Sequence, residues 1–318
     1  MKGIRTMSKI LVIGSLNMDM VAKVKRIPKL GETILGDRLM LNPGGKGANQ
    51  CYTVGKLGGN AIMLGCVGND SYGDILIESL VTAEVNTSFI KRCEDIHTGI
   101  ALIQIDDFGN NNIVVIKGAN DKCDEGYLSD NDDVIKACDI IMLQMEIPYN
   151  AIYYAIKRGR ELGKKIILNP APAPEEFPDD IINKVDIITP NEIELEMLSK
   201  MKIKSEGDIV KGAQKLINQG VDHVLVTVGS KGAMYVNKNG YKYYPSRKVD
   251  AIDTIGAGDC FNGAFAVAIS EGLPIDDAIT FANIAASISV TRQGAQSSIP
   301  SREEVDEILY TMKEGMPI

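Results

Sequence analysis

Positive charge is in deficit. The chain has 34 lysine and arginine residues against 42 aspartate and glutamate residues, a net charge of -8. That balance argues against a broad nucleic-acid surface, and a small anionic partner would need local positive charge. Histidine is scarce as well, and neither His97 nor His223 sits in a metal-ligand cluster. The six cysteines (Cys51, Cys66, Cys93, Cys123, Cys138 and Cys260) show no CxxC spacing. They read as free thiols of a reducing compartment, the cytoplasm, and not as a zinc site or a disulfide framework. No apolar run approaches the ~20 residues that span a bilayer, so no membrane association is expected. The start, MKGIRTMSKILVIGS, enters a strand pattern without a cleavage-site signature. Met7 directly precedes that strand, so residues 1–6 read as a tail or an upstream start. No G-x-G-x-x-G follows the strand; GSLNMD stands there instead, which speaks against a dinucleotide oxidoreductase.

What is present is the material of one large α/β domain spanning residues 1–318, with 45% hydrophobic content to fill a core. Near-continuous apolar runs recur at Lys9 to Gly14, Asn60 to Gly68, Cys138 to Gln144, Lys164 to Pro170, Val185 to Asn191 and Asp222 to Gly229. Runs of this kind belong to a parallel sheet covered by helices on both faces. Helical spacing of apolar residues marks Gly45 to Leu57, Tyr72 to Ala83, Tyr149 to Leu162, Asp208 to Gln219, Asp259 to Glu271 and Asp276 to Thr291. The expectation is a three-layer core. The proline-rich NPAPAPEEFPDD (Asn169 to Asp180) is short enough to be a stiff loop, and no repeat or domain linker is visible.

Two segments break the rhythm. Residues 19–41 alternate around the turn PKLGET, and residues 98–117 set GIALIQI and NIVVIK on either side of DDFGNNN, a hairpin signal. Together they predict a small antiparallel sheet beside the main one. Such a sheet has one apolar face and too few strands to stand alone, so it must cover something or pair with a copy of itself. It reads as a lid and a homodimer contact.

Six stretches carry candidate chemistry. NPGGKGANQ (Asn42 to Gln50) is no phosphate loop: Met40 stands where that pattern needs glycine, and Gly47 where it needs Ser or Thr. It is either a plain turn-to-helix junction or a polyol site built from Lys46, Asn49 and Gln50. In GSLNMDM, Asn17 and Asp19 share one face of a strand end, where α/β ligands bind; an Asx turn is the plainer reading. Glu146 follows another strand, and Asn191 and Glu194 open a helix, where a helix-start acid or a magnesium contact would both make sense. Thr227 to Ala233 is a glycine turn that suits a hairpin as well as a nucleotide. In DTIGAGDCFNG, Gly256, Ala257 and Gly258 can offer N–H groups to a phosphoryl group while Asp259 takes the proton of an attacking hydroxyl; otherwise Asp259 is an N-cap.

GSLNMD, GGKGANQ, LNPAPA, DIITPNE, DTIGAGDCFNGA and TRQGAQSS stand in the order found in the ribokinase-like carbohydrate kinase family, and the chain resembles that family over essentially its whole length. The resemblance implies an ATP-dependent sugar kinase acting on D-ribose. Asn17, Met18 and Asp19, then Gly45, Lys46, Gly47, Ala48 and Asn49, and Glu146 would hold the sugar. Asp259 would be the base, and Gly256 to Gly258 the anion hole. The nucleotide would lie against Asn191, Glu194, Thr227, Val228, Gly229, Ser230, Lys231, Gly232, Gly258, Asp259 and Asn283, with Glu194 tied to Mg2+ and phosphate. A potassium ion would sit among Asp253, Ile255, Ser289, Arg292, Gly294 and Ser298. 2-Deoxyribose, fructose or a nucleoside as acceptor, and a silent sugar or nucleotide sensor, are the alternatives.

Overall fold

The computed structural model describes residues 7–314, so the reading of residues 1–6 as a tail lies outside the described residues. Thirteen strands run along the described residues: β1 (Lys9–Ile13), β2 (Asn17–Lys23), β3 (Arg38–Gly44), β4 (Asn60–Gly68), β5 (Asn86–Cys93), β6 (Gly99–Ile105), β7 (Asn111–Ile116), β8 (Ile140–Leu143), β9 (Lys165–Leu168), β10 (Ile187–Ile188), β11 (His223–Thr227), β12 (Gly232–Asn237) and β13 (Gly240–Pro245). The helices are α1 (Lys46–Lys56), α2 (Ser71–Thr82), α3 (Glu125–Asp130), α4 (Asp132–Ala137), α5 (Tyr149–Glu161), α6 (Asp179–Ile182), α7 (Glu192–Ser199), α8 (Glu206–Asn218), α9 (Ala257–Ser270), α10 (Ile275–Ser289) and α11 (Arg302–Lys313).

Nine strands form one sheet in the order β13-β12-β11-β10-β9-β8-β1-β4-β5, parallel from β11 to β5. Strand alternation divides the core. Ile10 and Val12 of β1 face α1, α2, α9, α10 and α11, whereas Leu11 and Ile13 face the layer of α3 to α8. The expected three-layer core is therefore present, both faces of its central strands buried. Two parts went unread in the sequence. The half-exposed β5 adds a parallel edge strand, and at the other edge β13 extends, antiparallel, the β11–β12 hairpin that the Thr227 to Ala233 turn allowed. The run at Val185 to Asn191 contributes two strand residues only, joined by one bridge from Asn191 to Thr227.

The small sheet has the order β3-β2-β6-β7. β2 and β3 are antiparallel, as are β6 and β7, and the two pairs meet through a parallel β2–β6 contact. β2 leaves the end of β1 after three residues, and β3 leads directly into α1. The small sheet therefore stands over the carboxyl ends of the parallel strands, the edge at which open α/β sheets bind ligands.

Candidate active site

The GAGD turn starts α9 two residues earlier than its apolar spacing suggests. Gly256 precedes the helix at φ 74, a left-handed conformation that glycine adopts without a Cβ penalty. Asp259 is the third helical residue, 7% exposed, and caps nothing. Its carboxylate is instead held from α1: Asn49 Nδ2 donates to Oδ2 at 3.0 Å and Gln50 Nε2 donates to Oδ1 at 3.1 Å. The N-cap alternative is thereby excluded. The Ala257 N–H reaches the Thr254 carbonyl at 3.3 Å, while the N–H groups of Gly256, Gly258 and Asp259 meet no protein acceptor among the described residues. These are the free donors of a helix start, where anions are favoured.

Opposite lies a second set of polar groups. Asn17 and Asp19 share the inner face of β2, whereas Met18 alternates to the other face and is fully buried in the core. Lys46 opens α1, its N–H donating to Glu146 Oε2 at 3.2 Å; the Ser15 hydroxyl donates to the same oxygen at 2.6 Å. The Gly47 N–H donates to Ser15 Oγ and the Ala48 N–H to the Ser15 carbonyl. Both are thus spent on the β1–β2 turn, as expected if this helix start is no phosphate loop. Ala48 itself is core.

The charges of this region act on one another. Burial raises the Asp19 carboxyl to about 7, and Glu146 and Asp259 push it the same way against Lys46. Burial works to lower the Lys46 ammonium, but Asp259, Glu146, Glu194 and Asp19 together hold it above the ordinary lysine value. Burial also raises Glu194, against the Asn191 N–H and Lys46. One cation thus sits among four carboxylates.

Two clefts meet at the α9 turn. The first, about 810 Å³, lies between the small sheet and the loops before α9 and after α10; Asp19, Asn42, Asp253, Ile255 and Gly294 border it. The second, about 700 Å³, is bordered by Asn191, Thr227, Gly229, Ser230, Gly232, Ala257, Gly258 and Asn283. Ala251 and Thr254 border both. Val228 is buried in the core and Lys231 faces a different, small hollow, so neither side chain joins the second cleft. Asn191 and Glu194 form a reciprocal capping box on α7.

Asp253 ties two loops together. Its Oδ1 accepts the Ile255 N–H and its Oδ2 the Gly294 N–H, each at 2.9 Å. The Ser289 carbonyl accepts the Arg292 N–H, and the Ser298 hydroxyl donates to the Ala295 carbonyl. The Arg292 guanidinium turns away to Glu304. Among the described residues no group of three or more His, Cys, Asp or Glu side chains is placed to hold a metal ion.

The family model described as pfkB family carbohydrate kinase matches residues 7–302. The chain belongs to that family. As one of these carbohydrate kinases it is a phosphotransferase with an alcohol group as acceptor. It is similar to the ribokinase of Haemophilus influenzae, 37% identical over 94% of this chain and 97% of that one. It is 35% identical to the deoxyribokinase of Salmonella typhi, over 94% and 98% of the two chains. The structure of Arabidopsis thaliana ribokinase complexed with ribose and ATP superposes with a TM-score of 0.89 at 32% identity, covering 96% of this chain and 99% of that one.

Other polar residues of the kinase site were not singled out from the sequence. Ser15, Asn120 and Gln144 are buried and reach Glu146, Asn17 and Gln50 respectively only through folding. Arg247 and Lys248 border the second cleft from a loop without any motif. Asn120 is one case where a signal existed: an asparagine in the short GANDK turn, beside a strand pair, has backbone groups to serve. It accepts the Leu16 N–H and donates to Asn17 Oδ1 at 2.7 Å.

Proposed function

We propose that this carbohydrate kinase transfers the terminal phosphoryl group of ATP to the primary hydroxyl of D-ribose, giving ribose 5-phosphate and ADP. The observation that carries the reading is the position of Asp259, buried on the first turn of α9 where the two clefts meet, beside N–H groups with no protein acceptor. Each carboxylate oxygen holds one amide donor, which leaves a lone pair for a hydroxyl. Asp259 takes the proton as the sugar oxygen bonds to phosphorus, and the free N–H groups of Gly256 and Gly258 receive the charge that develops on the phosphoryl oxygens, joined by Ala257 if its N–H leaves the Thr254 carbonyl. Asn17, Asp19, Lys46, Asn49 and Glu146 hold the remaining hydroxyls from the small sheet, the start of α1 and the end of β8. The adenine nucleotide occupies the second cleft against Asn191, Gly229, Ser230 and Asn283, and Arg247 and Lys248 supply positive charge there.

A magnesium ion bound with the nucleotide neutralises phosphate charge. Glu194 fits it: the carboxylate lies close enough to Lys46 and Asp259 to feel both, and Asn191 engages only one lone pair on each of its oxygens. A potassium ion fits the loops joined by Asp253, which offer the carbonyls of Ile255, Ser289, Arg292 and Gly294 and the Ser298 hydroxyl, oxygen ligands suited to a hard cation. The chain works as a single domain in the cytoplasm, in keeping with six free buried thiols. The small sheet serves as lid and as homodimer contact.

Asp259→Asn tests the reading. Turnover with ribose and ATP should fall roughly 100- to 10,000-fold, while calorimetric ribose affinity stays within a few-fold; a variant keeping a tenth of wild-type turnover would overturn it. The similarity to a deoxyribokinase favours 2-deoxyribose as second acceptor. A coupled ADP-release assay across ribose, deoxyribose, fructose and adenosine decides between them.

A further inference from the structure

Behind Asp259 runs a line of buried amides. Gln144, at the end of β8, donates from Nε2 to Gln50 Oε1 at 2.7 Å. Gln50 in turn donates from its own Nε2 to Asp259 Oδ1 at 3.1 Å and to Asn169 Oδ1 at 3.2 Å. Asn169 spends its amide N–H on the Thr189 carbonyl at 3.0 Å. Gln50 and Gln144 are fully buried.

The direction of this line is fixed by its neighbours. Turned by 180°, Gln50 would set its carbonyl oxygen against the Asp259 carboxylate and against Asn169 Oδ1, and its N–H groups against those of Gln144. Gln144 is held in one sense for the same reason, and at a cost: its Oε1 is a buried acceptor with no partner. That oxygen faces the backbone of Gly14, where an alanine Cβ would come within 2.1 Å of it. A buried polar atom left unpaired in a folded protein calls for a reason. Here the reason is that reversing Gln144 would place its oxygen on the oxygen of Gln50.

We propose that Gln144 and Gln50 form a polarised amide relay that positions Asp259 and keeps a donor aimed at its carboxylate during phosphoryl transfer. Both are positioning residues, and the proposal rests on the reading of Asp259 as the base. Gln144 fixes which end of Gln50 faces the carboxylate, and Gln50 keeps an N–H donor on that carboxylate and fixes its orientation. The charged and titratable groups facing Asp259 are Lys46 of α1, Asp19 of β2, Glu194 of α7 and the adjacent Cys260 thiol. The relay leaves all four in place, so substituting it isolates the amides.

The test is single-turnover phosphorylation of ribose by Gln50→Met and Gln144→Met across pH 5 to 9, alongside ribose affinity and thermal unfolding. Gln50→Met should lower the single-turnover rate roughly 10- to 100-fold and move the acid limb of its pH profile to higher pH. Gln144→Met touches neither Asp259 nor the sugar cleft; it should do the same in weaker form, about threefold, because Gln50 is then free to turn. Ribose affinity should stay within about twofold in both. Either folded variant with wild-type rate and acid limb overturns the relay. So does a loss confined to ribose affinity, or a loss of stability with the rate per folded enzyme intact. If Gln50→Met does not fold, Gln144→Met alone decides. Failure of the parent reading is distinguishable, since Asp259→Asn would then keep a tenth or more of wild-type turnover.

Discussion

Asp19 borders the first cleft with its carboxyl raised to about 7 by burial and by the neighbouring carboxylates. Between the ordinary carboxylate value near 4 and about 7 the folded chain retains a proton that the unfolded chain has released. The contribution of this proton to stability is therefore complete in acid and is lost as the pH rises through about 7. Asp19→Asn, which needs no proton, should be more stable than wild type at pH 8 by ~2 kcal/mol, or roughly 2–6 °C in Tm, with the difference shrinking at pH 5. If Asp19 holds sugar hydroxyls as proposed, the same variant should bind ribose at least tenfold more weakly at pH 8. Scanning fluorimetry at both pH values checks this; an equal Tm difference at pH 5 and pH 8 would sink it. At this scale Asp19 and Asp259 were legible, because an acid at a strand end and an acid in a glycine turn are local patterns. Gln144 was not. It closes an apolar run, and its partner Gln50 is 94 positions away, a pairing only the folded chain creates.

The elements themselves were legible where burial is two-sided. β1, β4, β8 and β11 are near-continuous apolar runs because helices cover both faces. β5 reads NTSFIKRC, an edge strand half in water, and β13 reads GYKYYP, so neither carries the signal. The turn before α9 shows how elements combine into a site. Alone it is a glycine turn; Asp253 makes it one piece with the loop after α10 by accepting the Ile255 and Gly294 N–H groups. A potassium ion among the carbonyls of these two loops would stiffen the turn whose free N–H groups must be aimed before the phosphoryl group moves. Activity in a potassium-free, sodium-free buffer should rise at least severalfold when potassium chloride is added, and Asp253→Ala should abolish the response. Equal rates with and without potassium would rule the site out.

At the scale of the molecule, the small sheet has one apolar face too many. Val21, Ala101 and Ile103 already pack together on its inner face. Cross-strand register places Leu41, Met20, Leu102 and Val114 in one row on the outer face, with Leu39 and Ile116 beside it. Leu39 is 64% exposed and Val114 60%. A contiguous apolar face of this kind on a four-stranded sheet marks an association surface, and a two-fold axis lets the same face serve both partners. Because β2 carries Asn17 and Asp19, a partner packed on this sheet would also hold the strand proposed to bind the sugar. Sedimentation equilibrium at ten micromolar should give twice the 34.4 kDa chain mass. Leu102→Lys, which places a charge mid-row, should give monomers whose ribose KM is raised severalfold with a smaller change in kcat. Wild-type monomers at that concentration would refute the contact, and monomeric Leu102→Lys with unaltered KM would separate the dimer from the sugar site.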